Sequence, residues 1–324
     1  LKQVEGAYSL ITMTPQGMIA CRDPLGIRPL VMGKLGDSII FASETVALDI
    51  VGADYVRSVD PGELVVVEGC KITSHRPFGE NRPRPCIFEH VYFSRPDSIV
   101  DGSSVYGVRK AIGAELAREN PVEADIVIPV PDSGTPAALG YAEESGIPFE
   151  LGIIRSHYIG RTFIQPGDGV RHLGVKLKHN ANKPLVNGKR IILVDDSIVR
   201  GTTSLKIVQM MREAGAREVH MRIASPPTRH SCFYGVDTPE KSKLLANRKT
   251  IQEMQDFIHA DSLDFLTIDG LYRALGEANR RDERPQYCDA CFTGDYPTRL
   301  TDHDALERPD QLTLLNAVET EAAE

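Results

Sequence analysis

Apolar positions in the first 73 residues fall in short runs divided by turn residues. Gly6–Thr12, Met18–Cys21, Pro29–Met32, Ser38–Ala42 and Glu63–Val67 are such runs, and Pro15-Gln-Gly17, Gly36-Asp37 and Pro61-Gly62 separate them. Runs this short, punctuated by Gly, Pro and Asp, predict β-strands. Ser43–Asp49 is predicted as a short helix with Ser43 as its N-cap. Residues 74–85, rich in Pro and Arg, read as a linker. From Val105 the period lengthens, and Val105–Glu119 reads as an amphipathic helix. Strands and helices then alternate: strand Ile126–Val130, helix Thr135–Ser145, strand Phe149–Ile154, strand Ile191–Val194, helix Ser204–Ala214, strand Val219–Ala224. The helix ending at Ala214 is followed by Gly215, a residue suited to a helix C-terminus. Short helices follow, and Thr250-Ile-Gln-Glu253 has the spelling of a capping box. The alternation predicts an α/β fold: a β-rich front, then a parallel sheet with helices on both faces.

The chain has 324 residues, enough for two domains of ordinary size. With 41% hydrophobic and 25% charged residues it has the composition of a globular protein. A formal net charge of −8 argues against a broad basic surface, so no nucleic-acid partner is expected. No apolar run reaches membrane-spanning length and no signal-peptide pattern opens the chain, so no membrane partner and a cytoplasmic location are expected. Six cysteines without a secretory signal argue against a disulfide framework. Cys21 and Cys70 read as ordinary thiols. Cys288-Asp-Ala-Cys291 is a CxxC pair, and Cys86 and Cys232 lie far from it in sequence. Spacing alone suits a four-cysteine zinc site and an iron–sulfur cluster equally.

The stretch Ile191-Ile-Leu-Val-Asp-Asp-Ser-Ile-Val-Arg-Gly-Thr-Thr203 carries the most chemistry. Four apolar residues form a buried strand, and Asp195 and Asp196 stand where it ends. Gly201 sits in the following loop, and Thr202, Thr203 and Ser204 open the next helix. N–H groups at a helix start, with threonine hydroxyls, can cradle a phosphate. Two carboxylates beside them can accept hydrogen bonds from ribose hydroxyls, directly or through Mg2+. A second loop, Ile128-Pro-Val-Pro-Asp-Ser-Gly-Thr135, also joins a strand to a helix, and N–H groups around Ser133, Gly134 and Thr135 suit a pyrophosphate. Arg155-Ser-His-Tyr-Ile-Gly-Arg-Thr-Phe-Ile-Gln-Pro166, with Arg171, His172, Lys176 and Lys178 beyond, reads as a basic lid over phosphates.

Val-Asp-Asp-Ser-Ile-Val-Arg-Gly-Thr-Thr resembles the phosphoribosylpyrophosphate (PRPP) motif of type I phosphoribosyltransferases, in the spelling of the amidophosphoribosyltransferase family. That resemblance implies conversion of PRPP and glutamine, or ammonia, to phosphoribosylamine, pyrophosphate and glutamate at the entry to purine synthesis. It implies PRPP contacts from Asp195, Asp196, Ser197, Arg200, Gly201, Thr202, Thr203, Ser133, Gly134, Arg155 and Tyr158, with Mg2+ on Ser133, Asp195 and Asp196. His157 departs from the family's usual arginine and need not be charged at neutral pH. Cys86, Cys232, Cys288 and Cys291 match the ligands of the family branch that carries a four-iron, four-sulfur cluster. Nothing in the spacing places them near the phosphate loops, so the cluster is expected to be structural. Arg22-Asp-Pro-Leu-Gly-Ile-Arg-Pro-Leu30 resembles glutamine amidotransferases of the N-terminal-nucleophile class. Arg22 and Arg28 could equally fix turns by pairing with Asp23 or with backbone carbonyls. Residue 1 is Leu, so that class's nucleophilic Cys is expected to be missing from this chain. The expected division is 1–80 for the later part of a glutaminase domain, 81–305 for the phosphoribosyltransferase with its cluster segments, and 306–324 for an acidic tail. A homo-oligomer is expected. Two rivals remain open, a phosphoribosyltransferase acting on a free base and a PRPP-binding regulator without catalysis.

Overall fold

Short apolar strands joined by tight turns can pair only with near neighbours, and the front of the chain does so. The computed structural model describes residues 1–156 and 179–300. Strands β1 (Ser9–Thr14), β2 (Gly17–Arg22), β3 (Val31–Leu35), β4 (Ser38–Ala42), β5 (Asp54–Ser58), β6 (Leu64–Glu68) and β7 (Lys71–His75) form two antiparallel sheets, ordered β1-β2-β6-β7 and β4-β3-β5. Between the sheets Ala20, Leu30, Met32, Val59, Val65 and Val67 make a small core. The predicted strands are present with shifted ends, β1 for instance starting at Ser9 rather than Gly6. β5 and β7 were not expected. β5 alternates poorly, with Asp54, Tyr55 and Val56 all exposed, and β7 carries the chain two residues into the expected linker. The predicted helix at Ser43 starts instead at Thr45, and Glu44, not Ser43, precedes it. Glu44 accepts from the Arg95 N–H and the Ser98 hydroxyl, and Thr45 Oγ1 accepts from the Ile99 N–H. Contacts to the next segment thus replace a local cap.

A two-residue pair, β8 (Ile99–Val100) and β9 (Ser103–Ser104), leads into the Val105–Glu119 helix, where Ser104 Oγ accepts the Gly107 N–H as an N-cap. The central sheet is parallel, in the order β10 (Ile126–Pro129), β13 (Arg190–Asp195), β14 (Glu218–Ile223), β15 (Ser262–Phe265). β11 (Ile153–Arg155) and β12 (His179–Ala181) form a separate antiparallel pair. The expected strand at Phe149–Ile154 is therefore divided, since Phe149 makes only an isolated bridge to Val127. β15 was not predicted, because its residues Ser262-Leu-Asp-Phe265 put only two apolar side chains on one face.

Period-2 alternation assigns the faces of this sheet. Ile126, Ile128, Ile191, Leu193, Val219, Met221, Leu263 and Phe265 pack on one side with Ile207, Val208 and Met211 of the Thr202–Glu213 helix and Met254 and Ile258 of the Ile251–Ile258 helix. Val127, Ile192 and Val194 pack on the other with Ile112 and Leu116, with Ala138 and Tyr141 of the Thr135–Ser145 helix, and with Leu271 of the Ile268–Ala274 helix. The layers predicted from alternation are those observed. The capping box at Thr250 and Glu253 is also formed. On the second face two helices meet backbone to backbone. A Cβ built on Gly113 would lie 1.8 Å from the Ala137 carbonyl oxygen, and one on Gly140 1.8 Å from that of Lys110.

Candidate functional site

In an open parallel sheet, ligands collect beyond the carboxyl ends of the strands. β10 and β13 are hydrogen-bonded neighbours, with Pro129 opposite Val194, so the loops leaving them lie side by side. Asp195 closes β13, and it and Asp196 are both only 7% exposed. Burial, reinforced by the neighbouring Asp196 charge, pushes the Asp195 carboxyl well above the usual range. The Ser133 hydroxyl, from the β10 loop, donates to Asp196 Oδ1 at 2.5 Å, and the Ser197 hydroxyl donates to Oδ2 at 2.6 Å. Gly134 permits this approach, because a Cβ there would lie 2.3 Å from the Val194 carbonyl oxygen.

The two helix starts beside the acidic pair differ. Gly201, in the left-handed region at φ 76°, precedes the Thr202–Glu213 helix, and no side chain caps it. Its first-turn N–H groups, at Thr202, Thr203 and Ser204, have no partner within the helix, and both threonines are exposed. These N–H groups stand open at the helix start, with Arg200 exposed next to them. The β10 loop corrects the sequence reading. The Gly134 N–H donates to the Val130 carbonyl and the Thr135 N–H to the Asp132 carbonyl, so the donors expected to face a pyrophosphate turn inward. Asp132, which sequence reasoning passed over, is ion-paired with Arg155 at the end of β11. Its signal was present as the Asp of Pro131-Asp-Ser-Gly134, a spelling too common in turns to single out. His157, Tyr158 and the basic lid segment to Lys178 lie outside the described residues, as does the tail from 306.

Cys86, Cys232, Cys288 and Cys291 line one apolar pocket with Phe88, Tyr234 and Tyr296. Backbone bonds join two of the cysteine segments: the Cys288 N–H donates to Pro85 O at 2.8 Å and the Ile87 N–H to Cys288 O at 3.1 Å. All four cysteines are free thiols. Burial pushes the Cys86 thiol up to about 12, and burial with the facing cysteine sulfurs raises Cys288 and Cys291. Val199, from the loop after Asp196, forms part of the pocket wall, so the cysteines adjoin the loop that carries the acidic pair, a contact the spacing did not suggest. Among the described residues, no group of three or more His, Cys, Asp or Glu is placed to hold a metal ion. Neither the acidic pair nor the cysteine set is thus a preformed single-ion cage.

Sequence reasoning also missed the braces around these loops. Asp289, fully buried between Cys288 and Cys291, takes hydrogen bonds from Tyr272 Oη, Arg280 Nε and Thr293 Oγ1. Arg22 donates to the carbonyls of Arg28, Val59 and Gly26, as the turn-fixing alternative had it, but its acid partner is Asp101 rather than Asp23. Arg28 pairs with Glu89 at 2.7 Å and lies over the Phe93 ring.

A parallel sheet with an acidic pair and an uncapped helix start at one strand end defines the phosphoribosyltransferase class. The Phosphoribosyl transferase domain family matches residues 98–253, and the Glutamine amidotransferase domain family matches residues 1–49. The chain belongs to the amidophosphoribosyltransferase family. It is 57% identical over 321 residues to the Rhizobium etli amidophosphoribosyltransferase, covering 97% of this chain and 65% of that one. It is 53% identical to the chloroplastic amidophosphoribosyltransferase 1 of Arabidopsis thaliana, over 93% of this chain and 52% of that one. Among solved structures it matches the glutamine PRPP amidotransferase from B. subtilis complexed with ADP and GMP. There the TM-score is 0.84 at 48% identity, over 98% of this chain and 67% of that one. The chain spans roughly half to two thirds of the length of the curated relatives it matches.

Proposed function

We propose that this chain binds PRPP and carries out displacement of its pyrophosphate by ammonia at the ribose C1 carbon. The product is 5-phosphoribosylamine, which enters purine synthesis, and glutamine is the proposed nitrogen source. The observation that carries the reading is the meeting of Asp195, Asp196 and the Thr202–Thr203 helix start at one strand end. In this reading the helix-start N–H groups and threonine hydroxyls hold the 5′-phosphate, while Asp195 and Asp196 accept hydrogen bonds from the ribose hydroxyls. Ser197, Arg200 and Gly201 shape the same loop. Ser133 and Arg155 are proposed to face the pyrophosphate, with Gly134 holding their loop close to β13 and Tyr158 as a further PRPP contact. The chain supplies no nucleophile to this step; it orients the ring and excludes competing water.

Mg2+ fits the donor set as the third partner. Two buried carboxylates and a serine hydroxyl suit a hard cation that also keeps water and phosphate ligands. When bound, it neutralises the leaving pyrophosphate. For the cysteines we propose a four-iron, four-sulfur cluster in preference to zinc. Four thiols around one apolar pocket, without a convergent single-ion set, suit a group larger than one ion. The proposed setting is a cytoplasmic homo-oligomer.

Pyrophosphate release from PRPP, with ammonium chloride as sole nitrogen source and Mg2+ present, tests the function. Turnover is expected, and it rises with pH because only unprotonated ammonia attacks. A chain that bound PRPP without releasing pyrophosphate would be a regulator, and the catalytic reading would be abandoned.

A further inference from the structure

The β10 loop is held closed by its own acid. Asp132 and Ser133 are consecutive, and each ties the loop to one side of the site: Ser133 to Asp196 just beyond β13, and Asp132 to Arg155 on β11. The Gly134 and Thr135 N–H groups, meanwhile, bond carbonyls of their own loop. The Gly134 and Thr135 N–H groups and the Ser133 hydroxyl, proposed to meet a pyrophosphate on this side, therefore have partners within the protein. The Asp132 side chain is 65% exposed and Arg155 is 34% exposed, so solvent and anions reach the pair.

We propose that Asp132 is an internal competitor for the pyrophosphate group, occupying Arg155 until a phosphate displaces it. This rests on the PRPP reading above and adds a regulation of the same site. A carboxylate and a phosphate oxygen present the same charge to a guanidinium, so the two compete for one partner. Binding must break the Asp132–Arg155 pair before Arg155 can serve the ligand, and apparent affinity falls by the fraction of molecules in which the pair is closed. The pair is partly exposed, so the handicap is modest, roughly two- to fivefold. The handicap falls only on ligands that carry pyrophosphate: an anion with a single phosphate, held at the Thr202–Thr203 end, leaves the pair closed and is not penalised.

A double-mutant cycle on the full chain tests this, with Mg2+-PRPP binding read by calorimetry. Asp132→Asn keeps the shape of the residue and removes its charge. It is expected to tighten binding roughly two- to fivefold. In an Arg155→Ala background the same change is expected to do nothing. Equal tightening in both backgrounds would mean that Asp132 merely repels the anion, and the competitor role would be wrong. Unchanged or weaker binding in Asp132→Asn, with the parent chain binding normally, would also overturn it and leave the PRPP reading standing. If neither parent nor variant binds Mg2+-PRPP, the PRPP reading falls and takes this proposal with it. Ribose 5-phosphate provides the contrast, its affinity expected to be the same for parent and Asp132→Asn.

Discussion

Gly113→Ala sets two effects of opposite sign against each other. Alanine is the better helix former by about 1 kcal/mol, and Gly113 lies inside the Val105–Glu119 helix, so propensity alone makes the change stabilising. Packing opposes it. The new Cβ would stand 1.8 Å from Ala137 O, 2.6 Å from Ala137 C and 2.9 Å from its Cα, all of them backbone atoms of the facing helix. No rotamer change relieves that overlap, and an ordinary contact requires the helices to part by about 1.6 Å. Overpacking costs about 1–3 kcal/mol, and opposed backbones belong at the upper end. The net expectation is a loss of about 2 kcal/mol. Urea denaturation followed by circular dichroism reads it as a midpoint lowered by roughly 0.7 M, for a slope near 3 kcal/mol/M. Gly107→Ala is the control on the same helix. Its Cβ would meet only Ser104 side-chain atoms, at 3.6 Å, so stability should hold or rise. A Gly113→Ala midpoint at or above the parent's would show that the helices part freely, and the packing argument would be wrong. Because the displaced helix begins at Thr135, Gly113→Ala should also weaken PRPP binding while Gly107→Ala does not.

Asp195→Asn with Asp196→Asn should weaken PRPP binding about tenfold or more, since charge-assisted hydrogen bonds contribute about 1.5–3 kcal/mol each, and unchanged calorimetric affinity would contradict the assigned role. Chain purified without oxygen should be brown and hold about four irons, matching the proposed cluster, whereas a colourless chain with one zinc rejects it. Burial raises the Glu63 carboxyl, but Arg57, the Ser74 hydroxyl and the Asp60 N–H outweigh it and bring it down to about 2. Its charged form therefore stabilises the fold above the usual carboxylate range, and that contribution is lost as pH falls towards 2. Glu63→Gln should accordingly cost stability near pH 6 and cost less by pH 3.5, and a pH-independent difference would remove Glu63 from the acid response.

The strand–loop–helix units were legible because their signals are local. Ile191–Asp196 must be a buried strand ending in acids, and Val105–Glu119 must be a helix, whatever surrounds them. β15 was hidden because its pairing with β14 is decided by the sheet and not by its own four residues. Within the site, the acidic pair and the Thr202–Thr203 helix start could be read directly. The inward turn of the Gly134 and Thr135 N–H groups could not, since it depends on where Val130 and Asp132 place their carbonyls. The acid partners of Arg22 and Arg28, Asp101 and Glu89, lie 79 and 61 residues away along the chain, beyond any local rule. The wall that Val199 shares with the cysteines is likewise a product of folding.

The backbone bridge between Cys86 and Cys288 has a consequence for synthesis on the ribosome. At 5–20 residues per second, about 200 residues separating them take on the order of 10–40 s to emerge. Until that interval ends Cys86 lacks both its hydrogen-bonded neighbour segment and the Cys288 and Cys291 thiols that enclose it. The nascent chain therefore presents a bare, oxidisable thiol for that time. Oxidative damage should then fall hardest on newly made chains, and a pulse of peroxide during translation should label Cys86 far more than the same pulse applied to finished protein.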